Sequence, residues 1–127
     1  MATQALVDRR IDDGERLLEA LDAASLQVPV ALWLFTSEWG EWRLTLASPL
    51  VDQVGPREVY RQVQRILANM PDLKLRLDQT WVVGLANPLI AALRSAIRIG
   101  PENSGVRLTS NVLNGIFVED AYVYRLR

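Results

Sequence analysis

Four groups of residues in this 127-residue sequence have the types and spacing to do chemistry. Arg57, Arg61 and Arg65 recur every four residues, so on a helix they fill one sector of about 80°. Such a stripe is an anion site, because guanidinium forks pair bidentately with phosphate or carboxylate, and a row of them can follow a nucleic-acid backbone. Glu119 and Asp120 offer a carboxylate pair for general acid-base work. Adjacent residues of a strand point to opposite faces, however, so these two share a pocket only across a bulge. A charged pair here also interrupts a β-prone run, residues 116–124, and guards it against aggregation. Trp39 and Trp42 flank Gly40 at a hairpin tip, and Tyr122 and Tyr124 alternate along the last strand. Large aromatics in such places are anchors for a protein partner.

Asp52 together with Asp72-Leu73-Lys74 resembles the two-acid-plus-lysine signature of restriction-type nucleases, in which an acid and an acid-x-lysine bind Mg²⁺ and position water. The resemblance covers those three residues and implies a carboxylate-dependent, metal-assisted hydrolase. In that family the two parts lie on neighbouring strands of one hairpin. Here a whole helix is read between Asp52 and Asp72, which should hold the carboxylates too far apart to share an ion. The absences weigh more. With no histidine and no cysteine, the chain lacks Ser-His-Asp and Cys-His machinery, imidazole or thiolate zinc sites, iron-sulfur clusters and thiol redox chemistry. No G-x-G-x-x-G or G-x-x-x-x-G-K-[ST] phosphate loop occurs either. The expectation is therefore no metal, no cofactor and no catalytic residue, and the balance is against an enzyme.

Fourteen basic residues against fifteen acidic ones give a net charge of -1, so no global field draws the chain to nucleic acid or anionic lipid. Charge is instead sorted locally. Residues 54–76 carry five basic and two acidic side chains, whereas residues 8–22 carry three basic and six acidic. A helix pair or a dimer contact would show the same sorting. Thirteen of the basic residues are arginine, a skew that a GC-rich coding bias also produces. The first residues lack a signal peptide's basic and apolar regions, and the longest apolar stretch, residues 28–35, is far short of a membrane span. The expectation is a cytoplasmic protein of bacterial type, with no membrane partner.

The elements that must position these groups follow from periodicity. Val7, Ile11, Gly14, Leu18 and Leu21 make the apolar face of an acidic first helix. Gly14 weakens that helix by about 1 kcal/mol, a cost best explained by another element crossing close to it. Residues 30–35 read as a well-buried strand and 42–48 as its return, ended by Pro49. Gly55-Pro56 starts a second helix, which Pro71 stops. Leu73, Leu75 and Leu77 alternate with charged residues, which predicts a strand running on through Trp81-Val82-Val83. Asn87-Pro88 opens a third helix closed by Gly100-Pro101. Residues 106–111 and 116–126 are the final strands, and Asn114-Gly115 between them has the composition of a type I′ turn.

The order α-β-β-α-β-α-β-β predicts one α+β domain over residues 1–127, a two-layer sandwich with an antiparallel or mixed sheet of about five strands. All three helices are expected on one face of the sheet, with the last strand at an edge. Half of the residues are hydrophobic and 23% charged, which is ordinary for a chain that buries a core. The functional expectation is a noncatalytic interaction or assembly module, homodimeric through Tyr122 and Tyr124 or engaging a partner at Trp39 and Trp42. The alternative is a nucleic-acid-binding accessory protein using Arg57, Arg61 and Arg65.

Overall fold

Strand β1 (Val30–Thr36) organises the molecule because six of its seven residues are buried, so it must be covered on both faces and both edges. In the computed structural model, which describes Leu6, residues 8–97 and residues 105–127, it sits at the centre of a five-stranded sheet ordered β3-β2-β1-β5-β4. Its return strand β2 (Glu41–Ala47) and the last strand β5 (Ile116–Leu126) both run antiparallel to it. Strand β3 (Thr80–Val83) joins β2 in parallel, and β4 (Val106–Leu113) pairs antiparallel with β5. The sheet is mixed and the class is α+β, in the expected order.

Helices α1 (Asp8–Ala23) and α3 (Pro56–Ala68) cover one face of the sheet, where Leu17, Leu21, Val59 and Val63 close over Ala31, Trp33, Leu44 and Leu46. Helix α4 (Pro88–Ala96) lies on the other face, its Ile90 and Leu93 packed with Val30, Leu32, Ala121 and Val123. This corrects the expectation that all three helices share a face. The reason is β1 itself: its alternate residues Val30, Leu32 and Leu34 form a second apolar face that a single layer of helices would leave wet. Leu18, Leu21, Val59, Val63 and Leu93 are buried as expected, and Ile11, Ile66 and Ile97 pack at the margins. Val7 and the Gly100-Pro101 stop lie outside the described residues.

Three local differences have physical causes. Pro49 ends β2 by starting a short helix, α2 (Pro49–Val54), because Ser48 caps it by accepting a hydrogen bond from the Leu50 amide at 3.2 Å. Residues 73–76 are not a strand. Leu73 and Leu75 are buried and Lys74 exposed, so the alternation foretold burial correctly, but the Lys74 amide donates to Asp13 of α1 at 3.1 Å rather than to a strand. A single 3-10 turn, Leu77–Gln79, follows before β3. Finally β5 is interior, between β1 and β4, and the edge strands among the described residues are β3 and β4.

The expected close crossing at Gly14 is present. A Cβ there would strike the Tyr124 hydroxyl and stand 2.9 Å from that ring and 3.0 Å from Trp33 Nε1. Tyr124 reaches α1 because it lies two residues beyond Tyr122, on the same face of β5; the β1–β5 register slips by one residue between Ala31 and Leu32, leaving Tyr124 as the extra residue of a bulge.

Candidate functional site

On α3, burial of Val59 and Val63 turns Arg57, Arg61 and Arg65 outward, and all three are exposed. They do not pair with the acidic helix beside them. Arg61 meets Glu58 one turn back at 3.3 Å, while Arg16 of α1 engages Asp72 at 2.6 Å. Pro56, Arg57, Tyr60, Arg61 and Gln64 outline a shallow depression of about 520 Å³. Tyr60 is fixed there because its hydroxyl accepts a hydrogen bond from the Val82 amide at 3.0 Å.

The three residues of the nuclease-like pattern have separate duties. Asp52 on α2 accepts hydrogen bonds from the amides of Leu85 at 2.8 Å and Ala86 at 3.4 Å, which ties α2 to the loop before α4. The Asp72 carboxyl is held below its usual range, first by the hydrogen bond from Arg16. Lys74 contributes its amide to Asp13 and leaves its side chain exposed. Among the described residues no group of three or more acidic side chains is arranged to hold a metal ion.

Glu119 and Asp120 diverge. Glu119 accepts from the Ser37 amide at 3.0 Å and from the Ser37 hydroxyl at 2.7 Å, and these bonds, the hydroxyl first, depress its titration. It thereby closes the turn between β1 and β2. Asp120 receives a two-point pair from Arg107 of β4, at 2.7 and 2.8 Å, and the Arg107 guanidinium lies 5.4 Å from the Trp42 ring. Each carboxylate is committed to a structural partner, in different directions.

Of the aromatic anchors, Trp42 is 1% exposed and tilted against Phe35 in the core. Tyr124 is buried too, accepting from Trp33 Nε1 at 2.9 Å and donating to the Ile11 carbonyl at 2.5 Å. Neither presents its ring to the surface. Trp39 is half-buried, edge-on to Trp81 at 5.1 Å with the Arg43 guanidinium 4.6 Å from its ring, and Tyr122 is half-buried against Tyr124 at 5.2 Å.

Among the described residues the large apolar side chains left exposed are Val54, alone at the end of α2, and Val112 and Phe117. Val112 is 67% and Phe117 58% exposed, and they are direct partners across the β4–β5 hairpin. Beside them runs the free edge of β4. That strand has eight residues and a single charge, Arg107, which Asp120 neutralises. Sequence reasoning passed over this pair although a signal existed. A two-residue Asn114-Gly115 turn, both residues at positive φ, sets Leu113 against Ile116 and hence Val112 against Phe117. The edge position of β4, by contrast, is a matter of non-local strand order. Compared with family models, curated proteins and solved structures, the chain matches nothing in any of the three.

Proposed function

We propose that this chain is a noncatalytic assembly module that pairs with a second copy of itself along the free edge of β4, beside Val112 and Phe117. The observation that carries the reading is an eight-residue edge strand with no pairing partner on its outer side among the described residues, and an exposed apolar cross-strand pair next to it. Soluble proteins ordinarily blunt such an edge with lysine, proline or a covering element. Residues 106–113 contain neither lysine nor proline. A second copy fits this edge on charge grounds. In a two-fold contact each strand meets its own sequence, so any net charge would face itself, and here the one charge is already neutralised by Asp120. Ser110, at φ +52°, divides the edge, and the contact is assigned to the half holding Asn111, Val112 and Leu113. A cytoplasmic location of bacterial type belongs to the same proposal. Among the described residues no helix is long and apolar enough to cross a membrane.

Amide hydrogen exchange tests the edge itself. The outward amides among Asn111, Val112 and Leu113 should gain protection as protein concentration rises through the dimerisation range, while those of β3 stay unchanged. Concentration-independent exchange along β4 would refute the pairing.

The arginine stripe supports a second reading, as an accessory protein binding nucleic acid. Its specific support is that Arg57, Arg61 and Arg65 face solvent instead of pairing with α1. Retardation of random single or double strands at physiological salt, lost uniformly in Arg61→Ala, would favour it over assembly.

A further inference from the structure

The end of α1 makes an unusual stop. Ser25 takes the left-handed conformation, φ +62°, and the amides of Ser25 and Leu26 donate back to the carbonyls of Asp22 and Leu21, both at 3.0 Å. This is a Schellman closure with serine where glycine is the rule. It turns the chain sharply into Gln27, Val28 and Pro29, so that the turn stands across from Leu85 and α4 and leaves a groove of about 580 Å³ between them.

The groove has a distinct chemistry. Its apolar wall is formed by Leu26, Val28, Pro29 and Leu85, and its rim carries Arg94 from α4 and Arg127 after β5. The one acid lining it, Asp22, is already committed: Arg125 forks onto both of its oxygens at 2.8 and 2.9 Å. Among the described residues no ion pair engages Arg94 or Arg127. Two arginines thus line one groove with no direct ion pair of their own, Arg127 feeling the Asp22 charge only at a distance, and an apolar wall adjoins them.

We propose that this groove binds a small organic monoanion, a carboxylate on a short apolar chain, with its head on Arg94 and Arg127 and its chain along Pro29 and Leu85. A hydrated inorganic anion would use only the charged rim. An uncharged molecule of the same shape would leave the guanidiniums unanswered, and Asp22 at the wall disfavours a second negative charge. Arginine suits the head group because its planar fork matches a carboxylate in two bonds. The site lies outside the β4 edge and outside the α3 stripe, so it is independent of the assembly reading.

The test is titration of the full chain with hexanoate, hexanol and inorganic phosphate, followed by amide chemical shifts. Hexanoate should move the resonances of Ser25, Leu26, Leu85 and Arg94, and bind at least tenfold more tightly than hexanol or phosphate. Arg94→Gln with Arg127→Gln should weaken hexanoate at least tenfold, whereas Arg61→Gln and Phe117→Asp should leave it unchanged. Both arginines in the double variant are exposed, so the fold is expected to survive, and an unchanged amide spectrum without ligand checks that. No saturation by tens of millimolar hexanoate would overturn the proposal. So would shifts centred on Phe117 or Arg57, equal binding of hexanol, or indifference to the double variant.

Discussion

Replacing Gly14 by alanine should destabilise the protein, although alanine is the better helix former. On propensity alone the change stabilises α1 by about 1 kcal/mol. Against that, the new methyl would strike the Tyr124 hydroxyl and stand 2.9 Å from the same ring and 3.0 Å from Trp33 Nε1, where carbon contacts normally settle at about 3.5–4.0 Å. Neither ring can yield cheaply. Trp33 is 1% and Tyr124 8% exposed, and the hydroxyl is held between Trp33 Nε1 and the Ile11 carbonyl. Overpacking of this kind costs about 1–3 kcal/mol, and displacing the hydroxyl forfeits two hydrogen bonds worth about 1 kcal/mol each. The net expectation is a loss of about 2–4 kcal/mol, or a Tm lower by roughly 10 °C at this chain length. Urea unfolding followed by tryptophan fluorescence measures it. Tyr124→Phe alone should cost about 1–3 kcal/mol, because it strands the buried Trp33 N–H. In the double variant the two losses should fall short of additive by at least about 1 kcal/mol, since the oxygen that the methyl strikes is gone. Gly14→Ala at or above wild-type stability, or strict additivity, would refute the close-approach account.

Ser25→Gly should stabilise the fold by about 0.5–1 kcal/mol, read from the urea midpoint, because glycine adopts the left-handed closure of α1 without the Cβ penalty. Burial pushes the Tyr124 hydroxyl well above the ordinary tyrosine value, so its neutral form favours the folded state. That contribution is complete below about pH 10 and is lost as pH rises further, so phenolate absorbance from Tyr124 should appear only with unfolding. The hydrogen bond from Arg125 holds the Asp22 carboxyl below its usual value. Its contribution is present above about pH 4 and lost as pH falls, so Asp22→Asn should flatten the acid limb of the stability profile. Calorimetric titration with Mg²⁺ should show no heat attributable to Asp52 or Asp72, whose oxygens are taken by backbone amides and by Arg16; micromolar binding lost in Asp72→Asn would revive the hydrolase reading.

Local patterns carried most of the fold. Each cap-plus-proline start, at Gly55-Pro56 and Asn87-Pro88, opens a helix where expected, and Asn114-Gly115 makes the hairpin turn. Even the close approach at Gly14 was readable, because a glycine on an apolar stripe asks for an explanation. What periodicity could not supply was the assignment of elements to faces and edges. Leu73 and Leu75 alternate like a strand, yet the amide between them, that of Lys74, donates to Asp13, a side chain 61 residues earlier. Helix α4 crosses to the second face of β1, and β5 is inserted between β1 and β4; both are outcomes of long-range packing. The candidate sites suffered most from this. Trp42 and Tyr124 look like exposed anchors only while the turn and the edge around them are unassigned. Once β5 is interior, the surface passes to Val112 and Phe117.

Sedimentation equilibrium of the wild-type chain beside Phe117→Asp and Val112→Asp tests the central claim most directly. Both side chains are more than half exposed, so the substitutions spare the core. Pairing along β4 predicts that the wild type approaches twice the 14.3 kDa chain mass at micromolar concentration, and that either substitution returns it to 14.3 kDa with its stability intact. A wild-type chain that stays at 14.3 kDa across the whole concentration range, or a dimer indifferent to both substitutions, would contradict assembly through this edge.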